Sequence, residues 1–117
     1  MNDYKDLKVW QEAINLVEEV YQIINSFPKN ETYALADQLK RAVVSIPSNI
    51  SEGASRNTLK EYIQFLYIAL GSSSEVETQL IIAERLGHIE NIDSTFEQIT
   101  KVRKMLNKLI NTLKQKL

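Results

Sequence analysis

Residues 7–27 read LKVWQEAINLVEEVYQIINSF, and apolar side chains recur in them every three or four positions. That spacing is typical of a helix packed in a bundle, with an apolar seam formed by Leu7, Trp10, Ile14, Val17, Tyr21 and Ile24. All the apolar positions together cover an arc of roughly 200°, about twice what one bundle partner needs. The excess predicts either a deep groove between three neighbours or a second interface with another chain, and we favour self-association.

The composition of the 117-residue chain supports a helical protein, because three glycines and two prolines are too few for a many-stranded β protein. The chain has no cysteine and one histidine, which excludes disulfides, thiolate zinc sites and multi-histidine metal sites. No apolar run is long enough to span a bilayer, and the first residues lack a signal-peptide core. We therefore predict one cytoplasmic domain over residues 1–117, with no membrane partner, metal or cofactor.

The second helix follows a connector that contains a proline. The residue before a proline is disfavoured in a helix, so the first helix ends at Phe27. Asn30 is the predicted cap of the second helix, which begins near Glu31 and stops at Gly53. Pro47 removes a backbone donor inside this helix, which therefore either kinks or ends there.

The third helix begins at a predicted capping box formed by Thr58 and Glu61. It stops at Gly87, because glycine favours the left-handed backbone that ends helices. Gly71 lies inside this helix at some loss of helix propensity. It predicts a close approach of another helix at that level, and a break in the helix is the alternative.

The fourth helix begins within residues 91–94, where Ser94 and Glu97 form a second predicted capping box, and continues to the end of the chain. All three connections are short, and short links place sequential helices antiparallel to each other. The predicted fold class is therefore all-α, an antiparallel up-down-up-down four-helix bundle.

The sequence contains no convincing catalytic apparatus. Dinuclear carboxylate sites in bundles use a Glu-x-x-His spacing, which Glu84 and His88 do not have. The glycines are too far apart for a phosphate-binding loop. Residues 26–29 fit Ser-x-x-Lys formally, but Pro28 breaks the helical turn that this motif needs. We predict that the protein is not an enzyme and that His88 is an exposed or capping residue.

A stripe of hydrogen-bonding residues adjoins the apolar face of the second helix and comprises Gln38, Arg41, Ser45, Asn49 and Glu52. Glu77 falls within the apolar arc of the third helix, where an unpaired carboxylate is unfavourable. We predict that Arg41 pairs with Glu75 or Glu77 in a buried or interfacial polar network that fixes helix register and assembly. The alternative is that these residues bind a ligand or catalyse a reaction.

The charge is unevenly distributed along the chain. The net charge is −1, but residues 93–117 contain six Lys/Arg and only two Asp/Glu. Lys101, Lys104 and Lys108 share one outward stripe of the fourth helix. They form either an ordinary solvated face or a nucleic-acid contact, and an assembly would repeat them. No aromatic residue is interleaved with them, which argues against base stacking.

Three motifs carry a resemblance to a known family: DLKVW at residues 6–10, QLKRA at 38–42 running into SIPSNISEG at 45–53, and GSSSEVETQL at 71–80. With these motifs, in this order, the sequence resembles bacterial four-helix bundle proteins linked to intervening sequences in 23S rRNA genes. These proteins are sometimes grouped with the ribosomal proteins. Members usually have alanine where Ser51 stands and a Phe-Gly-like pair at residues 54–55, so only the turn geometry departs from the pattern.

The resemblance implies an antiparallel four-helix bundle that assembles into five-fold rings, as relatives do. A related group, the accessory variability determinant proteins of diversity-generating retroelements, forms pentameric barrels that bind nucleic acid and a reverse transcriptase. By this analogy we expect a non-enzymatic homopentameric adaptor that contacts structured RNA, DNA or a nucleoprotein partner. The competing hypothesis is a module that binds only protein and uses its lysines for solubility.

Overall fold

The computed structural model describes residues 3–31 and 34–117. These residues form four α-helices and two short 3-10 helices, and they contain no β-strand. The α-helices are α1 (Lys8–Ile24), α2 (Leu35–Ala54), α3 (Leu59–Arg85) and α4 (Asp93–Lys114), and the 3-10 helices are Tyr4–Asp6 and Lys29–Glu31. Each of α1 and α3 packs against both α2 and α4, which confirms the all-α up-down four-helix bundle.

One apolar core runs between the four helices. In α1 the buried face consists of Val9, Ala13, Leu16, Val20 and Ile24. It is rotated from the predicted seam, because Trp10, Ile14 and Val17 lie half-buried beside it. The wide apolar arc of this helix therefore contains a buried half and a half-exposed half. Apart from Ile24, which is buried, the predicted seam lies on the half-exposed side.

Two predicted helix starts differ from the structure. Asn30 lies within the 3-10 helix Lys29–Glu31, and α2 begins at Leu35 after Ala34, which has no hydrogen-bonding side chain. The predicted cap at Asn30 and start near Glu31 are therefore wrong. The start of α4 falls inside the predicted range, but Asp93 is its first residue, so Ser94 lies in the first turn. Ser94 is consequently not the N-cap of the predicted second capping box.

Both ends of α3 agree with the sequence prediction. The Glu61 N–H donates to Thr58 Oγ1 at 3.2 Å, and the Thr58 hydroxyl also contacts the Glu61 carboxylate at 3.0 Å. At the other end Gly87 has a φ of 78°, and its N–H donates to the Glu84 carbonyl. The His88 N–H donates to the Ala83 carbonyl, which completes the hydrogen-bond pattern of a Schellman motif.

The glycine and proline predictions had mixed outcomes. Helix α2 continues through Pro47 to Ala54, so it does not end at the proline. Gly53 is a buried residue inside α2 and not its stop. Helix α3 runs unbroken through Gly71, but no described atom lies within 4 Å of where a Gly71 Cβ would be. The close helix approach predicted at Gly71 instead occurs at Gly53, whose Cβ would lie 2.8 Å from the Phe65 Cβ.

Candidate functional site

The three lysines singled out from the sequence lie on an exposed face of α4. They differ in their surroundings. The Lys101 ammonium lies 3.2 Å from the Glu12 carboxylate on α1. Lys104 and Lys108 form no ion pair with any described residue. The positive charges of Lys104 and Lys108 are therefore available to an external anion, whereas that of Lys101 is partly neutralised.

Glu12 links α1 to α4 through a cluster that the sequence analysis missed. Its carboxylate accepts hydrogen bonds from Gln98 Nε2 at 2.9 Å and from Asn15 Nδ2 at 3.4 Å, and its side chain is only 15% exposed. Hydrogen bonds from Gln98 and then Lys101 lower the pKa of the Glu12 carboxyl below its ordinary value. Gln98 also donates to the Glu12 backbone carbonyl at 3.0 Å. The sequence could not reveal these partners, because they meet only when α1 packs beside α4.

An apolar groove lies next to the lysines, where the start of α1 meets the last part of α4. We call it the α1–α4 groove. Its volume is about 320 Å³, and it is lined by Leu7, Lys8, Val9, Met105, Lys108, Leu109 and Thr112. Leu7, Met105 and Leu109 are half-buried, while Lys8 and Lys108 are exposed. The groove thus combines an aliphatic floor with a positively charged rim.

The α1–α4 side of the bundle is polarised along its length. The half that contains the start of α1 and the end of α4 carries Lys5, Lys8, Lys104, Lys108, Lys114 and Lys116. The side-chain carboxylates of residues 3–16 and 104–117 are Asp3, Asp6 and Glu12, and Glu12 is paired with Lys101. The opposite half carries Glu18, Glu19, Glu90, Asp93 and Glu97, together with Lys101 and Arg103, which are paired with Glu12 and Glu77. A polyanion would therefore approach the half that contains the α1–α4 groove.

The predicted pairing of Arg41 with Glu75 or Glu77 is wrong. The Arg41 side chain is 82% exposed, and its Nε lies 3.4 Å from Asp37 one turn earlier in α2. Glu75 is exposed and accepts a hydrogen bond from Gln79 at 3.3 Å. Glu77 instead pairs with Arg103 of α4 at 3.4 Å. Helical spacing could not show that the Arg41 side chain points to solvent.

The rest of the polar stripe on α2 is divided among local contacts. Ser45 reaches α3, because its Oγ lies 2.6 Å from the Ser72 Oγ. Asn49 donates to the Ser45 carbonyl one turn earlier, and Glu52 pairs with Arg56 at 3.5 Å. Gln38 is exposed. Ser45 is therefore the member of the stripe whose hydrogen bonding joins two helices. The five stripe residues do not form one network with Glu75 and Glu77.

Two separate surfaces expose apolar side chains. The first, which we call the α1–α2 groove, has a volume of about 240 Å³ and is lined by Tyr4, Trp10, Ile14, Val17, Val44, Pro47, Ser48 and Ser51. The second, which we call the α3 face, presents two exposed apolar pairs, Tyr67 with Ile68 and Ile81 with Ile82, which are separated along α3 by exposed polar residues. These surfaces differ in shape and composition, since one is a groove between two helices and the other is the outer side of a single helix.

Other kinds of site find little support in the described residues. These residues contain no group of three or more His, Cys, Asp or Glu side chains that could hold a metal ion. The His88 ring packs near Phe27, with ring centroids 5.9 Å apart, and His88 is half-buried rather than exposed. None of the described helices combines the length and the apolar character that crossing a bilayer requires.

The fold and these surfaces define a small helical-bundle protein with exposed apolar and basic faces. Residues 5–108 match the model of the 23S rRNA-intervening sequence protein family, and the chain belongs to this family. It is also similar to a crystal structure of a protein of unknown function from the S23 ribosomal protein family of Bacteroides thetaiotaomicron VPI-5482. The TM-score is 0.81 at 22% identity, over 88% of this chain and 95% of that chain. This likeness supports the fold alone, and no curated protein matches the sequence significantly.

Proposed function

We propose that the protein is a non-enzymatic homo-oligomeric adaptor that binds structured RNA or DNA through the exposed lysines of α4. The observation that carries the proposal is that Lys104 and Lys108 are exposed without an ion pair among the described residues, with Lys8 beside Lys108. Cations of this kind attract phosphate, because binding releases counterions from the nucleic acid. Lys101 contributes less, since Glu12 partly neutralises its charge.

Self-association is supported by the two exposed apolar surfaces. A monomeric protein has little reason to leave both the α1–α2 groove and the α3 face open to water. Because the two surfaces differ, contact between them would be heterologous, and a heterologous contact closes into a ring when the rotation allows. Five copies is the number that the family resemblance implies.

A ring also strengthens the case for nucleic-acid binding. One chain has a net charge of −1, so its overall charge does not attract a polyanion and only its local basic face does. In a cyclic ring all copies point the same way along the axis, so the lysine-rich halves of the bundles share one rim. Repeated positive charge on that rim would give many simultaneous phosphate contacts.

The test combines mass measurement with a binding titration. Light scattering on the full chain should give the mass of an oligomer rather than that of the 13.5 kDa chain. Fluorescence polarisation with a labelled RNA hairpin and a labelled DNA duplex should show affinity that falls steeply between about 50 and 200 mM salt. Lys104→Gln with Lys108→Gln should weaken binding, whereas Lys29→Gln, an exposed lysine in the connector before α2, should not.

Four results would overturn the proposal. A monomeric mass would contradict the proposed ring. An affinity that does not change with salt concentration would contradict the proposed phosphate contacts. An oligomer that binds neither nucleic acid would make a protein-only interaction module the better description. Equal binding by the Lys104→Gln, Lys108→Gln variant and the wild type would place any nucleic-acid contact elsewhere on the surface.

A further inference from the structure

We infer that the α1–α4 groove is the docking site for an acidic amphipathic helix of a partner protein. The groove joins an aliphatic floor of Leu7, Met105 and Leu109 to a rim that carries Lys8 and Lys108. An amphipathic helix with aliphatic residues on one side and carboxylates beside them complements both features. This inference concerns a protein partner and does not depend on nucleic-acid binding.

The groove lies along the seam between α1 and α4, towards the start of α1. Of the four pairs of adjacent helices, α1 and α4 make the least extensive contact. Within the described residues, the side-chain hydrogen bonds and ion pair that join them are those of Glu12 with Gln98 and Lys101. Beyond this link, towards the start of α1, Leu7, Met105 and Leu109 remain half-exposed. A third helix laid along the seam would bury them.

Charge complementarity decides the character of the occupant. Lys8 and Lys108 flank the aliphatic floor, and Lys104 lies one turn before Lys108 on the same helix. None of these three lysines has an ion pair with a described residue. Burial of aliphatic surface would supply most of the affinity, and the lysines would select carboxylates next to it and reject basic segments.

The floor of the groove favours protein over nucleic acid as its occupant. None of the described residues that line it is aromatic, so a base has no ring on which to stack. The floor is aliphatic, which suits leucine, isoleucine or valine side chains spaced three or four positions apart. Met105 is unbranched and flexible, so it can adapt its shape to the side chain that enters.

The experiment selects peptides without assuming their sequence. A phage-displayed library of random 16-residue peptides is panned against the full chain in the absence of nucleic acid. Enriched peptides should have aliphatic residues at helical spacing flanked by Asp or Glu. Their affinity, measured with the synthetic peptides, should fall at least about tenfold in a Lys8→Glu, Lys108→Glu variant. Met105→Gln should also weaken binding, because it makes the floor polar.

The matched control is Lys29→Glu with Lys60→Glu, which changes the net charge equally at two exposed lysines outside the groove. This control should bind the peptides like the wild type. All the exchanged lysines are exposed, so the variants should keep the helical content of the parent, which circular dichroism checks.

The inference is wrong if panning enriches no peptide or if the enriched peptides lack acidic residues. It is also wrong if the Lys8→Glu, Lys108→Glu variant binds them like the control. A lower oligomer mass of that variant by light scattering would identify the groove as a contact between copies of this chain. Peptide binding that persists when RNA and DNA binding fails would support the inference and overturn only the nucleic-acid part of the proposed function.

Discussion

Gly53 of α2 lies so close to Phe65 of α3 that a Cβ on the glycine would be 2.8 Å from the Phe65 Cβ. The same Cβ would be 3.1 Å from the Tyr62 backbone carbonyl oxygen. A backbone atom cannot move without shifting its helix, so only glycine fits at this crossing. The contact lies near the turn that joins α2 to α3, the two helices that pack together most extensively.

We therefore expect Gly53→Ala to destabilise the protein even though alanine is the better helix former. The overlap with α3 outweighs the gain in helix propensity, and the free energy of unfolding should fall by about 1–2 kcal/mol. Urea denaturation at fixed protein concentration measures the change. Gly71→Ala is the matched control: it lies mid-helix with open space at the Cβ position, so it should raise the free energy of unfolding by about 0.5–1 kcal/mol. Equal effects of the two substitutions would contradict the close approach at Gly53.

Gly53 and Gly71 also show what the sequence could predict and what it could not. The N-cap at Thr58 and the stop at Gly87 are local patterns, and both were confirmed. A close approach depends on which side of a helix faces its neighbour, and the sequence placed it at Gly71 instead of Gly53. The same limit explains the wrong pairing predicted for Arg41, whose side chain points to solvent. The helical period of the apolar residues predicts where the helices lie along the chain. The packing of those helices against each other determines which way each side chain points.

Glu12 should make stability depend on pH. Hydrogen bonds from Gln98 and Lys101 lower the pKa of Glu12 in the folded protein, so the charged carboxylate favours folding. This contribution is fully present above the ordinary value near 4.5 and is lost as the pH falls through the lowered value. Glu12→Gln should reduce the free energy of unfolding by up to about 1 kcal/mol at pH 7 and by less near pH 3. Urea midpoints at both pH values test this, and an undiminished effect at low pH would contradict it.

Glu19, two turns further along α1, should behave in the opposite way. Burial raises the pKa of Glu19, and the nearby charge of Glu12 adds to the effect. The charged carboxylate therefore opposes folding, and this penalty appears as the pH rises through the raised value. Glu19→Gln should increase the free energy of unfolding at pH 7 by a few tenths of a kcal/mol, because the group is still largely solvated. A loss of stability at pH 7, measured by the same urea titration, would show that Glu19 has a favourable partner.

Substitutions of Lys101 and Lys108 should affect stability and nucleic-acid binding to different degrees. Lys108→Gln should lower the slope of log affinity against log salt by about one, as expected for the loss of one phosphate contact. Lys101→Gln should change that slope less, because Glu12 already neutralises part of its charge, and should reduce stability more. Fluorescence polarisation and urea denaturation of both variants measure the two effects. Identical salt slopes would mean that the ion pair with Glu12 opens when nucleic acid binds.

The proposed ring makes a prediction that mixtures of variants can test. Val44→Glu places a charge in the α1–α2 groove, and Ile82→Glu places one on the α3 face, at two exposed positions that tolerate a polar side chain. If these surfaces contact each other, each variant alone should be monomeric by light scattering. Leu117→Glu, at an exposed position outside both surfaces, should leave the oligomer intact.

Mixing the two interface variants distinguishes a heterologous contact from a symmetric one. The Ile82→Glu chain keeps an intact groove, and the Val44→Glu chain keeps an intact α3 face, so one good contact forms between them. The mixture should therefore stop at a dimer of about twice the 13.5 kDa chain mass. If the α1–α2 groove instead packed against the same groove of another copy, the Ile82→Glu variant alone would still associate. The Val44→Glu variant would stay monomeric, because its groove is altered in every copy. That result would replace the ring by a two-fold dimer and remove the shared basic rim on which the proposed nucleic-acid binding depends.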